Sequence, residues 1–127
     1  MGKVLVADDD RNVRELLRQI VEDMGHEAIA VANGRQACEI LGRTKVDLVL
    51  MDIIMPVQDG ASATMSIRRD CALNRRVPII GISTAECFMN GYSYKDIGFD
   101  LFLRKPFDQD VIEQALRTIG LYALIGG

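Results

Sequence analysis

The sequence lacks the features that mark secreted, zinc-binding and membrane-spanning proteins. Its three cysteines form no Cys-x-x-Cys pair, so neither a zinc site nor a disulfide framework is indicated. No apolar run approaches the roughly 18 residues that a membrane-spanning helix needs, and Asp8–Arg11 interrupts any signal-peptide pattern at the start. We therefore expect a cytoplasmic protein that is not inserted in a membrane.

Basic residues are also sparse and scattered along the chain. The formal net charge is −3, and no long basic run occurs, so direct binding of nucleic acid is not expected. Hydrophobic residues make up 49% of the 127 residues and charged residues 26%, which are the proportions of a globular protein with one core. We expect residues 1–127 to form a single domain.

Short apolar runs alternate with helical patterns along the chain. The runs contain many β-branched and aliphatic residues without polar alternation, which is typical of strands buried on both faces of a parallel sheet. They are Val4–Ala7, Ala28–Val31, Leu48–Met51, Val77–Ile82 and Leu101–Leu103. This alternation predicts an α/β fold, a doubly wound (βα)5 sandwich with a five-stranded parallel sheet, and we take the flavodoxin-like strand order 2-1-3-4-5 as the arrangement to test.

The predicted helices differ in how strongly the sequence marks them. Apolar residues recur at helical spacing in Val13–Met24, and Gly25 is a stop signal. Asp108 is the predicted N-cap of the last helix. The segment Ala85–Ile97 has irregular apolar positions, and we predict it as a weakly patterned fourth helix.

Reactive side chains directly follow four of the predicted strands. Asp8 and Asp9 follow the first strand, Asp52 the third, Ser83 the fourth, and Lys105 closely follows the fifth. Ligands of open parallel sheets bind at the carboxyl ends of the strands, where the strand order reverses. In the order 2-1-3-4-5 this point lies between strands 1 and 3, so we expect the three aspartates to share one cleft.

Three carboxylates in one partly dry cleft repel each other unless a cation joins them. A hard divalent cation such as Mg²⁺ (or Mn²⁺) prefers oxygen ligands and is typically held by one or two carboxylates together with phosphate oxygens. Lys105 adds a second positive charge. Because the ordinary pKa of an aspartate is about 3.9, Asp52 is expected to be ionised and able to attack phosphorus directly.

Four motifs in register resemble the receiver domain of two-component response regulators, over essentially the whole chain. They are Val6-Ala7-Asp8-Asp9, Met51-Asp52-Ile53-Ile54-Met55-Pro56 with Asp59-Gly60 following, Pro78-Ile79-Ile80-Gly81-Ile82-Ser83, and Lys105-Pro106-Phe107. The resemblance implies a signalling phosphoacceptor rather than an enzyme that acts on other substrates. It also implies a sensor histidine kinase or phosphotransfer protein as donor, and a downstream protein bound through helix 4, strand 5 and helix 5.

The resemblance implies a metal site and a phosphorylation site. Asp52 would be the phosphoacceptor, and Lys105 would pair with the phosphoryl group. Mg²⁺ would be held by Asp8, Asp9, Asp52 and the backbone carbonyl of Ile54.

It further implies a switch beside the site. Ser83 would hydrogen-bond a phosphoryl oxygen and move toward it, and Phe102 would be an aromatic switch residue. The Lys105–Pro106 peptide bond would be cis, as in the family.

Several positions depart from the family pattern. Thr84 follows the switch hydroxyl where a small residue is usual, and Phe99 follows Gly98 where a small residue is also common. Ile54 and Ala85 flank the path of an attacking water, and neither side chain can orient that water. These departures lead to the hypothesis that the phosphorylated protein loses its phosphoryl group slowly.

Three other functions fit the sequence less well. A magnesium-dependent aspartyl phosphatase carries Asp-x-Asp followed by Thr or Val after strand 1, and Asp8–Val13 does not match this pattern. A flavodoxin-like FMN carrier needs a first loop that cradles a phosphate dianion, which three aspartates would repel. A receiver-shaped scaffold that is never phosphorylated has no need of the intact set Asp8, Asp9, Asp52, Ser83 and Lys105.

Overall fold

The computed structural model describes residues 2–55, 57–83 and 94–126, in which strands and helices alternate. The strands are β1 (Lys3–Ala7), β2 (Glu27–Val31), β3 (Leu48–Asp52), β4 (Ile79–Ser83) and β5 (Leu101–Arg104). The helices are α1 (Arg11–Asp23), α2 (Gly34–Leu41), α3 (Gly60–Asp70), α4 (Tyr94–Ile97) and α5 (Gln109–Gly126). No helix in these described ranges is both long and apolar enough to span a membrane.

The strands form one parallel sheet in the order β2-β1-β3-β4-β5, which confirms the predicted topology. The order reverses between β1 and β3, because the chain moves from β1 outward to β2 and then returns to the other side. The pairing of Ala7 with Met51 aligns the carboxyl ends of β1 and β3. This alignment places the residues that follow the two strands next to each other.

Each face of the sheet carries its own hydrophobic core. Leu5, Val49 and Ile79 contribute to the core beneath α2 and α3, whereas their neighbours Val4 and Leu48 contribute to the core beneath α1 and α5. Successive side chains of a strand point to opposite faces. Runs without polar alternation therefore bury residues on both faces, as the sequence predicted.

Polar side chains fix where several helices begin. Asp10 is the N-cap of α1 and accepts hydrogen bonds from the backbone N–H groups of Asn12, at 2.8 Å, and Val13, at 3.3 Å. The predicted cap at Asp108 is confirmed, since its carboxylate accepts from the Val111 N–H at 2.9 Å. Such caps satisfy N–H groups that have no partner within the helix.

One predicted strand begins later in the structure, and one predicted helix includes residues that lie outside the described ranges. β4 begins at Ile79 rather than Val77, because the Val77 N–H closes a turn on the Asn74 carbonyl at 3.1 Å and Pro78 has no N–H for the sheet. In the predicted helix Ala85–Ile97, the structure has a helix over Tyr94–Ile97, and residues 84–93 lie outside the described ranges.

The buried ring of Phe99 lies directly over Gly81 in the core beneath α3. A Cβ atom at Gly81 would be 2.9 Å from Phe99 Cδ1, closer than carbon atoms normally approach. Gly81, which has no side chain, thus leaves room for Phe99, the large residue that departs from the family pattern. The two residues form a complementary pair within the core.

We predict that Gly81→Ala destabilises the protein by about 1–3 kcal/mol, because the buried ring of Phe99 has no room to retreat. In a Phe99→Leu background the same substitution should cost less than in the native background. Urea unfolding of the four proteins in this double-mutant cycle measures the difference.

Gly120→Ala is the matched control, because nothing lies within 4 Å of a Cβ at Gly120. This helical substitution should stabilise the protein by about 0.5–1 kcal/mol. Equal costs of Gly81→Ala with and without the Phe99 ring would contradict the packing argument.

Candidate functional site

The carboxyl ends of four strands meet around one cleft. Asp8 follows β1, Asp52 is the last residue of β3, Ser83 is the last residue of β4, and Lys105 follows β5. The sheet register pairs Asp52 with Ile82, so Ser83 stands one residue beyond it at the same edge. The structure therefore brings to one edge of the sheet the residues that the sequence placed at strand ends.

Asp8, Asp9 and Asp52 form an acidic cluster at this edge. One carboxylate oxygen from each lies within 4.8 Å of the others. Asp8 is completely buried and Asp52 is only 4% exposed, whereas Asp9 faces solvent. Two of the three negative charges are thus largely removed from water.

Lys105 bridges the two buried carboxylates. Its Nζ lies 3.2 Å from Asp8 Oδ2 and donates a hydrogen bond of 3.3 Å to Asp52 Oδ2. The Lys105 N–H donates to the Ser83 carbonyl at 2.7 Å, and the Lys105–Pro106 peptide bond is cis. The lysine backbone is therefore fixed against β4 while its side chain reaches toward β1 and β3.

Contacts from the start of α1 hold Asp8 in position. The Asp10 N–H donates to Asp8 Oδ1 at 2.9 Å, and Arg14 Nη1 donates to the Asp8 carbonyl at 2.9 Å. Arg14 was not among the predicted site residues. Its position in the first turn after the aspartates is a signal that could have revealed this contact.

Burial and crowding change the acidity of the cluster. Burial, followed by the charge of Asp8, raises the pKa of Asp52 to about 7. Burial also raises the pKa of Asp8. Burial alone would lower the pKa of Lys105, but the charges of Asp52 and then Asp8 raise it above its ordinary value. The two buried carboxyl groups therefore bind protons more readily than an exposed aspartate does.

The acidic cluster has the donors that Mg²⁺ prefers. Asp8 Oδ2 is buried and its one close polar contact among the described residues is the ion pair with Lys105 Nζ at 3.2 Å, with no regular hydrogen bond. A buried carboxylate oxygen without such a bond is costly. A divalent cation bound by Asp8, Asp9 and Asp52 would satisfy it, and oxygen donors of this kind suit Mg²⁺ or Mn²⁺.

The loop after β3 is packed closely against the end of that strand. A Cβ atom at Gly60 would overlap the Asp52 carbonyl oxygen, so only glycine fits. The Gly60 N–H donates to the Ile53 carbonyl at 2.7 Å, and Asp59 caps α3 through the Ser62 N–H at 2.7 Å. The Asp59-Gly60 pair therefore turns the chain directly behind Asp52.

The same loop exposes two apolar side chains near the site. Ile54 is 59% exposed, and Val57 is 74% exposed with a backbone φ of 69°. A β-branched residue with positive φ is a rare conformation that often marks functional loops. The role of the Ile54 carbonyl as a metal ligand stays a prediction.

The remaining predicted site residues are only partly described. Ser83 is buried, and Phe102 is half-buried against the core beneath α2 and α3. Thr84 and Ala85, which were predicted to influence access to the site, lie outside the described residues. The switch roles of Ser83 and Phe102 stay predictions.

Comparison with known proteins identifies the family. Residues 4–117 match the model of the response regulator receiver domain. Chemotaxis response regulator CheY4 of Vibrio cholerae has a similar structure, with a TM-score of 0.86, 26% identity, and coverage of 94% of this chain and 98% of that chain.

Two further relatives are informative. The receiver domain of a sensor histidine kinase from Pseudomonas aeruginosa, solved with a magnesium ion in its active-site cleft, is 31% identical with a TM-score of 0.83, over 94% of this chain and 98% of that chain. Transcriptional regulatory protein CpxR of Escherichia coli is 29% identical over 94% of this chain and 49% of its own length.

This chain spans about half the length of the first curated relatives that it matches, 45% of one and 49% of another. The match nevertheless covers nearly all of the fold and every strand that contributes to the cleft. The chain belongs to the response regulator receiver domain family, the signalling phosphoacceptors of two-component systems, as its four motifs indicated.

Proposed function

We propose that this chain accepts a phosphoryl group on Asp52 from a phosphohistidine of a sensor histidine kinase or phosphotransfer protein, in a reaction that needs Mg²⁺. The observation that carries the proposal is the pair of buried carboxylates, Asp8 and Asp52, that share Lys105 at the reversal of strand order. Burying two negative charges side by side costs free energy, so this arrangement is not expected at a strand end with a purely structural role.

The transfer step follows from the groups present. A carboxylate oxygen of Asp52 forms a bond to phosphorus, the P–N bond to the donor imidazole breaks, and its electron pair stays on that nitrogen. Lys105, which is 3.3 Å from Asp52 Oδ2, would pair with a phosphoryl oxygen. Mg²⁺ held by Asp8, Asp9, Asp52 and the Ile54 carbonyl would neutralise developing negative charge when bound.

The proposed output is a change of protein contacts rather than turnover of a substrate. Ser83 would follow the phosphoryl group, and Phe102 on β5 would report the change to the face formed by α4, β5 and α5. Phosphorylation of this kind shifts the population between two packings. Direct binding of nucleic acid is not part of the proposal, and the cytoplasmic location stays a prediction.

The alternative functions lack such support. In an aspartyl phosphatase of the Asp-x-Asp type the nucleophile lies after the first strand, whereas here the proposed nucleophile, Asp52, ends β3 and contacts Lys105. In an FMN carrier the first loop binds a phosphate dianion, which the cluster of Asp8, Asp9 and Asp52 would repel.

Incubation with Mg²⁺ and acetyl phosphate should add one phosphoryl group, which intact mass spectrometry detects. Asp52→Asn should prevent the adduct, because the amide is not a nucleophile of comparable strength. Asp23→Asn, which changes an exposed carboxylate at the end of α1, should leave the adduct in place. The absence of any adduct, or an adduct that persists in Asp52→Asn, would overturn the proposal.

Without metal, Asp52→Asn should stabilise the protein at pH 8 by about 1–2 kcal/mol, because it removes a buried negative charge. The folded-state pKa of about 7 lies above the ordinary value of about 3.9, so the stability associated with this group is fully present only below that ordinary value and is lost as the pH rises from there to about 7. The benefit should therefore be smaller at pH 5.5 than at pH 8.

Thermal unfolding at the two pH values measures this effect, with Asp23→Asn as the control for loss of a surface charge. Added Mg²⁺ should raise the melting temperature of the native protein more than that of Asp52→Asn. A larger gain from Asp52→Asn at pH 5.5 than at pH 8 would contradict the electrostatic argument.

Ile54→Gln should shorten the half-life of the phosphorylated protein about fivefold, because an amide can hydrogen-bond an attacking water where the exposed Ile54 cannot. The half-life is measured by the decay of the phosphorylated mass after the donor is removed. Ile54→Leu preserves an apolar side chain and should decay as the native protein does. A native half-life of seconds would refute the hypothesis of slow phosphoryl loss.

A further inference from the structure

Two loops at the amino-terminal ends of the strands bring together cations that are far apart in the sequence. One loop joins α2 to β3 and spans residues 42–47, and the other joins α3 to β4 and spans residues 71–78. Together they present four exposed basic side chains at the end of the sheet opposite the phosphoacceptor site. We call this group the cationic pole: Arg43, Lys45, Arg75 and Arg76.

Asn74 fixes the two loops against each other. This buried side chain donates to the carbonyls of Leu41, at 2.6 Å, and Thr44, at 2.8 Å, and its Oδ1 accepts from the Val46 N–H at 3.1 Å. Lys45 Nζ adds a contact of 3.5 Å to the Leu73 carbonyl. The backbones of the two loops that carry the basic residues are therefore held against each other by buried hydrogen bonds.

Arg68 of α3 fixes the second loop from its other side. Its guanidinium donates to the carbonyls of Arg75, at 2.9 Å, and Val77, at 2.6 Å, and it pairs with Asp100 Oδ2 at 2.8 Å. The charge of Arg68 is thus neutralised, and its role is to hold the backbone of the loop. The side chains of Arg75 and Arg76 stay exposed on a fixed backbone.

The cationic pole has no internal compensation among the described residues. None of its four side chains makes an ion pair in those ranges, whereas Arg35, Arg69 and Arg117 each pair with a neighbouring carboxylate. Because the whole chain has a formal net charge of −3, the remainder of the chain without these four residues carries −7. The pole is a local excess of positive charge on an acidic protein.

We propose that the cationic pole is a docking site for a short acidic segment of a partner protein. The planar guanidinium of arginine binds carboxylates through two parallel hydrogen bonds, which favours this chemistry. Leu73 is 40% exposed between the basic residues and offers contact to an aliphatic side chain of the segment. A preformed site of this kind avoids part of the entropic cost of ordering loops on binding.

The surroundings of the pole favour a short peptide over an extended polyanion. The exposed carboxylates Asp23 and Asp47 lie at the same end of the sheet, Asp47 in the first loop itself, and would repel a membrane surface or a nucleic acid duplex that covers this whole end. Neither loop contains an aromatic residue on which bases could stack. A short acidic segment covers less of this end of the sheet than a duplex or a membrane surface does.

The distance between the pole and the site makes docking independent of phosphorylation. A strand rises about 3.3 Å per residue, so the five residues of β3 or β4 separate the pole at one end from the cleft at the other by roughly 17 Å. This distance exceeds the Debye length of about 8 Å at physiological ionic strength. The charge added at Asp52 therefore has little effect on binding at the opposite end.

Fluorescence anisotropy with a labelled peptide of glutamate and leucine tests the proposal. The native protein should bind this peptide, with affinity that falls as salt is added, and should not bind the same peptide with glutamine in place of glutamate. Arg75→Glu/Arg76→Glu should weaken binding about tenfold or more. Arg43→Glu/Lys45→Glu should have a similar effect from the other loop.

Arg35→Glu/Arg117→Glu is the control, since it changes the net charge equally at exposed positions of α2 and α5. It should leave the affinity within twofold, and circular dichroism verifies the fold of each variant. Acetyl phosphate with Mg²⁺ should not change the affinity, so failure of the phosphoacceptor function would leave this result intact. Equal losses in the control, binding of the glutamine peptide, or preference for duplex DNA or anionic vesicles would overturn the proposal.

Discussion

Two carboxylates, Asp8 and Asp52, lie side by side with almost no access to water, and Lys105 is the cation that they share. Each carboxylate comes from a different strand, and the lysine comes from beyond a third. The ion cluster can form only if β1, β3 and β5 end at the same edge of the sheet. The strand order, the turn at Gly60 and the anchoring of the Lys105 backbone to Ser83 all serve this requirement.

Much of this arrangement could be predicted because it depends on local patterns. Strands buried on both faces leave unbroken apolar runs, and an aspartate before a helix predicts a cap, as Asp10 and Asp108 show. Parallel strands on neighbouring positions end at a common edge, so Asp8 and Asp9 after the first strand and Asp52 after the third were expected in one cleft. The start of β4 was misplaced because the turn that includes Val77 depends on Asn74, which carries no strand signal.

Other parts of the structure were not predictable, since they depend on contacts between distant segments. Arg14 holds the Asp8 carbonyl, and its only signal in the sequence is its position in the first turn after the aspartates. The sequence shows Phe99 only as a large residue where a small one is common, and it does not indicate that the ring packs over Gly81. The basic residues looked scattered in the sequence, yet Asn74 and Arg68 place four of them on one surface.

The cationic pole and the acidic cluster lie at opposite ends of the strands, so these two groups together contribute an electric dipole along the sheet. A dipole experiences a torque in the field of a charged neighbour, which turns a protein before two surfaces touch. The contribution from these two groups favours contact of a negatively charged neighbour with the end near Arg75, and of a positively charged one with the end near Asp9. The same uneven distribution of charge therefore sorts approaching molecules by sign, before any specific contact is made.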